Sequence, residues 1–67
     1  MNVGEYVQMG ISDPGSPKKE HMWFEVTEVL GNDRYKGRCD NDPVVVDSIT
    51  FNQIIEFDFK NVEQKYK

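Results

Sequence analysis

Apolar side chains recur at every second position in several short runs, the period expected of strands with one buried face. In Tyr6–Ile11, Val7, Met9 and Ile11 share one face, and Tyr6, Gln8 and Gly10 share the other. The strongest pattern covers residues 22–30, with Met22, Phe24 and Val26 on one face and Trp23, Glu25, Thr27 and Val29 opposite. Its β-branched and aromatic residues suit a half-buried pleated surface. A helix would instead spread Met22, Trp23, Phe24, Val26, Val29 and Leu30 around most of its circumference, which a chain this polar disfavours. A returning strand over 35–39 places Tyr35, Gly37 and Cys39 together, with Arg34, Lys36 and Arg38 on the reverse face. Leu30 is expected opposite Tyr35, although the loop chemistry alone leaves the register open. Val44, Val45 and Val46 read as a short buried strand. Residues 54–59 read as the last one, with Ile55, Phe57 and Phe59 inward and Glu56 and Asp58 outward.

Between these runs lie turn formers. Residues 12–20 hold Pro14, Gly15 and Pro17 and form the longest loop, a shaped turn system more than free coil. Gly31, Asn32, Asp33 and Arg34 make a hairpin connection whose residues tolerate positive φ. Asp40, Asn41, Asp42 and Pro43 make a second turn, Asn52 and Gln53 a third, and Lys60, Asn61 and Val62 one tight helical turn. Five short strands without a helix of ordinary length predict an all-β fold, a small SH3-like barrel of about five short antiparallel strands. Closure would leave few unpaired sheet edges. One domain covers 1–67, with an ordered core over about 4–62 and a polar tail at 63–67 in which Tyr66 is the side chain able to dock.

Sixty-seven residues make one domain and a thin core, because a chain this short buries only about 60% of its unfolded surface. An enclosed active site would remove core side chains that such a domain cannot spare. Eight basic and twelve acidic residues give a formal charge of −4. Nucleic acid and anionic membranes are therefore disfavoured as partners, and a protein or peptide with a basic or neutral face is favoured. The single cysteine, Cys39, allows no internal disulfide. No apolar run approaches the roughly 20 residues of a membrane span, and Met1 opens a polar segment. A cytoplasmic protein is expected.

The segment from Glu20 to Val26, then Tyr35, Lys36, Gly37 and Arg38, then Asn41, Asp42 and Pro43, resembles the YegJ-like bacterial domain of unknown function. Residues 49–57 are similar to that family's closing turn and strand. The resemblance covers residues 4–62 and implies a small bacterial β-barrel. It implies no activity and carries no catalytic residue across. Asn52 stands where such domains usually have glycine, and no tryptophan occurs near the end.

Candidate chemistry is sparse. Trp23, outward if Met22 and Phe24 face the core, has two readings. Pro14, Pro17 or the C-terminal segment covers it, or it joins Tyr6 and Tyr35 in an aromatic groove rimmed by acids that holds an extended peptide. The expected contact surface is Trp23, Tyr6 and His21 with the turn of Asp40, Asn41, Asp42 and Pro43. His21, the sole histidine, is expected to bond a loop carbonyl. Paired with Cys39 it gives a weaker hydrolase reading that has no local signature. Asp40, Asn41, Asp42 and Asp47 lack calcium-loop spacing, and one Cys with one His falls short of a zinc site, so no metal or cofactor is expected. Arg34, Lys36 and Arg38 form a basic stripe, either paired across strands with Glu25 and Glu28 or available to nucleic acid. A monomer or weak homodimer is expected.

Overall fold

Where one side chain in two finds a core to face, the alternation becomes strand. The computed structural model describes residues 1–66 and contains β1 (Tyr6–Ile11), β2 (Glu20–Gly31), β3 (Arg34–Cys39), β4 (Ile54–Asp58) and β5 (Gln64–Tyr66). They form one antiparallel sheet in the order β4-β3-β2-β1-β5. The fold is thus all-β, and the sheet is open, with β4 and β5 at its edges.

β2 serves both halves of this sheet. Its first part pairs with β1, from Ile11 opposite Glu20 to Tyr6 opposite Glu25. Its second part pairs with β3, from Phe24 opposite Cys39 to Gly31 opposite Arg34. The register shifts between Val26 and Glu28 and again between Val29 and Gly31. Each extra residue bends the strand and increases its twist. At the first shift the Thr27 hydroxyl donates to the Lys36 carbonyl at 3.3 Å, occupying an acceptor beside the interrupted ladder. The shifts place Val29, not Leu30, opposite Tyr35. Loop composition could not reveal this, because the extra residues lie inside the strand. The hairpin residues do adopt the expected left-handed conformation, with φ of 91° at Gly31, 50° at Asn32 and 63° at Asp33.

The buried face carries Val7 and Met9 from β1, Met22, Phe24 and Val26 from β2, Tyr35 and Cys39 from β3, and Phe57 from β4. Burying each of the larger apolar side chains contributes about 1.5–3 kcal/mol. Tyr35 stacks on Phe57 with ring centroids 5.7 Å apart. Gly37, opposite Ile55 on β4, leaves room for that packing. A Cβ there would stand 3.0 Å from Phe57 Cε1 and 3.3 Å from Phe24 Cβ.

Val46 and Ile49 complete the core from the connection between β3 and β4. The expected strand at Val44, Val45 and Val46 does not form. Their three backbone N–H groups donate to the single carboxylate of Glu20, at 2.8–3.2 Å. Three donors converging on one side chain cannot also alternate along a ladder, so Val44 is left 87% exposed while Val46 turns inward. The next two N–H groups, of Asp47 and Ser48, donate to Asp13, each at 2.8 Å. Five successive amides are thus held by two carboxylates from the loop preceding β2 and its first residue. Both carboxyls are held below their ordinary values; for Asp13 the largest cause is a bond from the Ser48 side chain, followed by the Asp47 amide, and for Glu20 it is the amide of Val45.

The end of the chain also departs from expectation. Phe59 is exposed, because it opens a 3-10 turn, Phe59–Asn61, where the strand was expected to continue. Asp58 accepts from Lys60 N and Asn61 Oδ1 accepts from Asp58 N, so the side chains that start the turn also end β4. The turn leads towards the opposite sheet edge, where Glu63 N donates to Gln8 O at 2.8 Å. Residues 64–66, expected as a polar tail, then pair with β1 as β5. Lys67 lies outside the described residues.

Candidate functional site

Because Val7 and Met9 take the buried face of β1, Tyr6 and Gln8 must take the other; Met22 and Phe24 impose the same parity on Trp23 and Glu25. Pairing then fixes their neighbours. Tyr6 stands opposite Glu25 on β2 and opposite Tyr66 on β5, and Trp23 stands opposite Gln8. Trp23 is therefore the diagonal neighbour of Tyr6, within reach of large side chains. Its ring meets Tyr66 edge to face at 6.4 Å, with 77° between the planes.

The polar side of this surface comes from the turn after β3. Asp40 N donates to the Trp23 carbonyl at 2.9 Å, and Trp23 N donates to Asn41 Oδ1. Both backbone groups of Trp23 are thus satisfied by two consecutive turn residues, which strap the turn to β2. Tyr6, Trp23, Tyr66, Asp40 and Asn41 together line an open groove of about 410 Å³. Tyr6 and Trp23 are half-buried and Tyr66 is largely exposed. The C-terminal segment therefore covers part of Trp23, and Pro14 and Pro17 are not among the residues lining this groove.

Arg38 stands beside the groove on β3. One of its nitrogens, Nη2, donates to Glu25 Oε1 and Asp40 Oδ1, each at 3.0 Å, and Nη1 donates to Asn52 Oδ1 at 2.7 Å. Glu25 first and Asp40 next hold the guanidinium above its ordinary pKa. Asn52 adopts φ of 70°, in the left-handed region. Its side chain uses that turn to reach Arg38.

The other sequence-predicted residues fall elsewhere. Tyr35 belongs to the core and not to the groove, since it shares its face with buried Cys39. His21 lies on the outer side of β2, two positions before Trp23. It bonds Glu63 through Nδ1 at 2.7 Å, not the loop carbonyl expected, and does not line the groove. Asp42 and Pro43 line a separate hollow of about 270 Å³ with Val46, Asp47, Ile49 and Phe51 among its walls. The expected contact surface thus divides. Trp23, Tyr6, Asp40 and Asn41 come together, whereas His21, Asp42 and Pro43 stand apart. Tyr66 is the groove residue that the strand pattern missed.

The basic stripe is matched by acids. Arg34 pairs with Glu56 at 2.8 Å and lies 3.9 Å from Asp58, and Lys36 lies 3.9 Å from Glu28. The Arg34 guanidinium is raised and the Glu56 carboxyl lowered, each chiefly by the other. Cys39 is buried on the face opposite His21, its Sγ 3.4 Å from the Asn41 carbonyl. Among the described residues, no three His, Cys, Asp or Glu side chains group closely enough to hold a metal ion, and no helix is long and apolar enough to cross a membrane. Comparison of the chain with family models, with curated proteins and with solved structures finds no match.

Proposed function

We propose that this chain is a non-catalytic interaction module of the cytoplasm, built as an SH3-like barrel of the YegJ-like bacterial kind, which binds an extended peptide segment of another protein in the Trp23 groove. Three features support the barrel. The strand order brings the last strand beside the first, a 3-10 turn links the two edge strands, and β2 bends at its register shifts so that one strand serves both halves.

The observation that carries the binding reading is the convergence of Tyr6, Trp23 and Tyr66 on one open groove. Aromatic side chains left half in water lose little entropy on contact and dominate binding hot spots. The groove also offers acceptors from Asp40 and Asn41, suited to a peptide backbone or a polar side chain. The opposed reading, a nucleic-acid face on Arg34, Lys36 and Arg38, gains nothing from charges already matched within the sheet. The hydrolase reading gains nothing from His21 and Cys39 on opposite faces.

Selection of displayed nine-residue peptides on immobilised protein tests the proposal, with Trp23→Ala as the counter-target. Enrichment of peptides that bind the native chain and lose the variant is expected. A library that yields no Trp23-dependent binder contradicts it.

A further inference from the structure

We infer that the groove's preferred ligand is an arginine side chain presented by the partner peptide, its guanidinium stacked on one of the Trp23 and Tyr66 rings with its edge to the other, and forked onto Asp40. The inference rests on the peptide-binding reading and adds the chemistry that selects the ligand.

The charges at the rim do not cancel. Among the described residues, Glu25 and Asp40 are two carboxylates served by one cation, Arg38, which leaves one negative charge of this cluster unmatched in a chain that is itself at −4. Arg38 uses the same nitrogen for both acids and engages Asp40 only through Oδ1. Among the described residues, Asp40 Oδ2 has no partner. The backbone N–H of Asp40 is bonded to the Trp23 carbonyl, which anchors the residue at the wall of the groove. The Asp40 carboxylate and the Trp23 indole thus line the same groove.

The rings supply the second half of the selection. The face of an aromatic ring is electron-rich and attracts a cation within about 6 Å, indole most strongly. Trp23 and Tyr66 meet edge to face and so present planes nearly at right angles, one of which a flat cation can cover while its edge meets the other. The groove is open, not a closed cage. A closed cage suits a round quaternary ammonium, whereas an open corner with a carboxylate at its end suits a planar, weakly hydrated guanidinium that stacks and forks at once. Lysine, a compact and strongly hydrated charge, gains less from the same site.

Trp23 is the chain's sole tryptophan, so its fluorescence reports the site directly. Four blocked pentapeptides, acetyl-Gly-Ser-X-Ser-Gly-amide with X as arginine, lysine, citrulline or leucine, are titrated into the native protein. Citrulline keeps the size and plane of arginine without its charge. The expected order is arginine first, lysine weaker by a few-fold, and citrulline and leucine weaker by about tenfold or more. Asp40→Asn is expected to reduce the arginine preference over citrulline to about twofold or less, with the folded amide dispersion retained. Equal binding of arginine and citrulline, or a preference that survives Asp40→Asn, overturns the inference. So does an arginine peptide that leaves Trp23 emission unchanged at 10 mM or so. If displayed peptides still bind in a Trp23-dependent manner in any of those cases, the peptide reading stands and the arginine assignment alone falls. If no displayed peptide binds either, both fall.

Discussion

Trp23 on β2 and Tyr66 on β5 touch edge to face, with ring centroids 6.4 Å apart. The two residues lie 43 positions apart in the chain and on strands separated by β1. This contact gives Trp23 part of its cover and leaves the rest of the ring to the groove. Truncation of Tyr66 to alanine should therefore shift Trp23 emission to longer wavelength. It should cost only about 0.5–1.5 kcal/mol, since Tyr66 is itself largely exposed. A fluorescence spectrum and a urea melt of Tyr66→Ala check both parts; an unmoved emission maximum would show that Tyr66 does not cover the indole.

The clasp on the β3–β4 connection should be separable from the sheet. Glu20→Gln keeps the side chain's size but replaces a charged acceptor with a neutral one for the amides of Val44, Val45 and Val46. Bonds to charged groups are the stronger kind. Amide exchange at these three positions should accelerate by about an order of magnitude, while exchange at Val7, Phe24 and Tyr35 changes little. Uniform acceleration across the sheet would mean that the connection and the sheet open as one unit.

Acid should release the same clasp. Asp13 is held below its ordinary value chiefly by the Ser48 side chain and then by the amides of Asp47 and Ser48, and Glu20 by the amides of Val45, Val44 and Val46. A carboxyl with a lowered folded-state value stabilises the fold fully above its ordinary value and loses that contribution as pH falls through the lowered one. The connection should keep its protection from neutral pH to about pH 4.5 and lose it progressively below about pH 4. Exchange at Asp47 and Ser48 as a function of pH, corrected for the intrinsic rate, measures this. Protection lost between pH 7 and pH 5 would point to a different group.

Gly37→Ala tests the packing under β3. The added methyl would meet Phe57 Cε1 at 3.0 Å and the Glu25 carbonyl oxygen at 3.3 Å. Neither the ring nor the backbone can yield freely, because Phe57 is buried against Tyr35. Overpacking of this kind costs about 1–3 kcal/mol. In a domain this small the thermal midpoint should fall by about 4–8 °C for each kcal/mol. An unchanged midpoint would show that the space at Gly37 is not filled by Phe57.

The sheet was legible wherever burial alternates along a strand. Met22, Phe24 and Val26 announce one face of β2, and that parity alone sets Trp23 outward. The same rule places Tyr35 with buried Cys39, so the face assignment was already evidence against Tyr35 in the groove; Gly37 between them marks where Phe57 comes close. Three features were not legible. Val44, Val45 and Val46 have the composition of a strand, but their amides are taken by Glu20, more than twenty residues earlier, and nothing local encodes that. β5 is three exposed residues with no alternation to read, so Tyr66 is placed by its pairing with Tyr6 and not by pattern. The register of the β2–β3 hairpin depends on shifts inside β2 that turn residues cannot report. For the site, Trp23, Tyr6 and Asp40 followed from residue chemistry and parity, while the arrangement of Asn41 on the Trp23 amide required the fold.

The most direct measurement is a footprint in solution. A peptide enriched by Trp23-dependent display is titrated into the 15N-labelled chain, and amide and indole shifts are followed residue by residue. Peptide binding in the groove predicts that the Trp23 indole and the amides of Tyr6, Asp40, Asn41 and Tyr66 move together along one saturating curve. Arg34 and Lys36, and the hollow lined by Asp42 and Phe51, should stay still. Saturating shifts at the basic stripe or the hollow with the groove unmoved would contradict the assignment of this face as the binding surface.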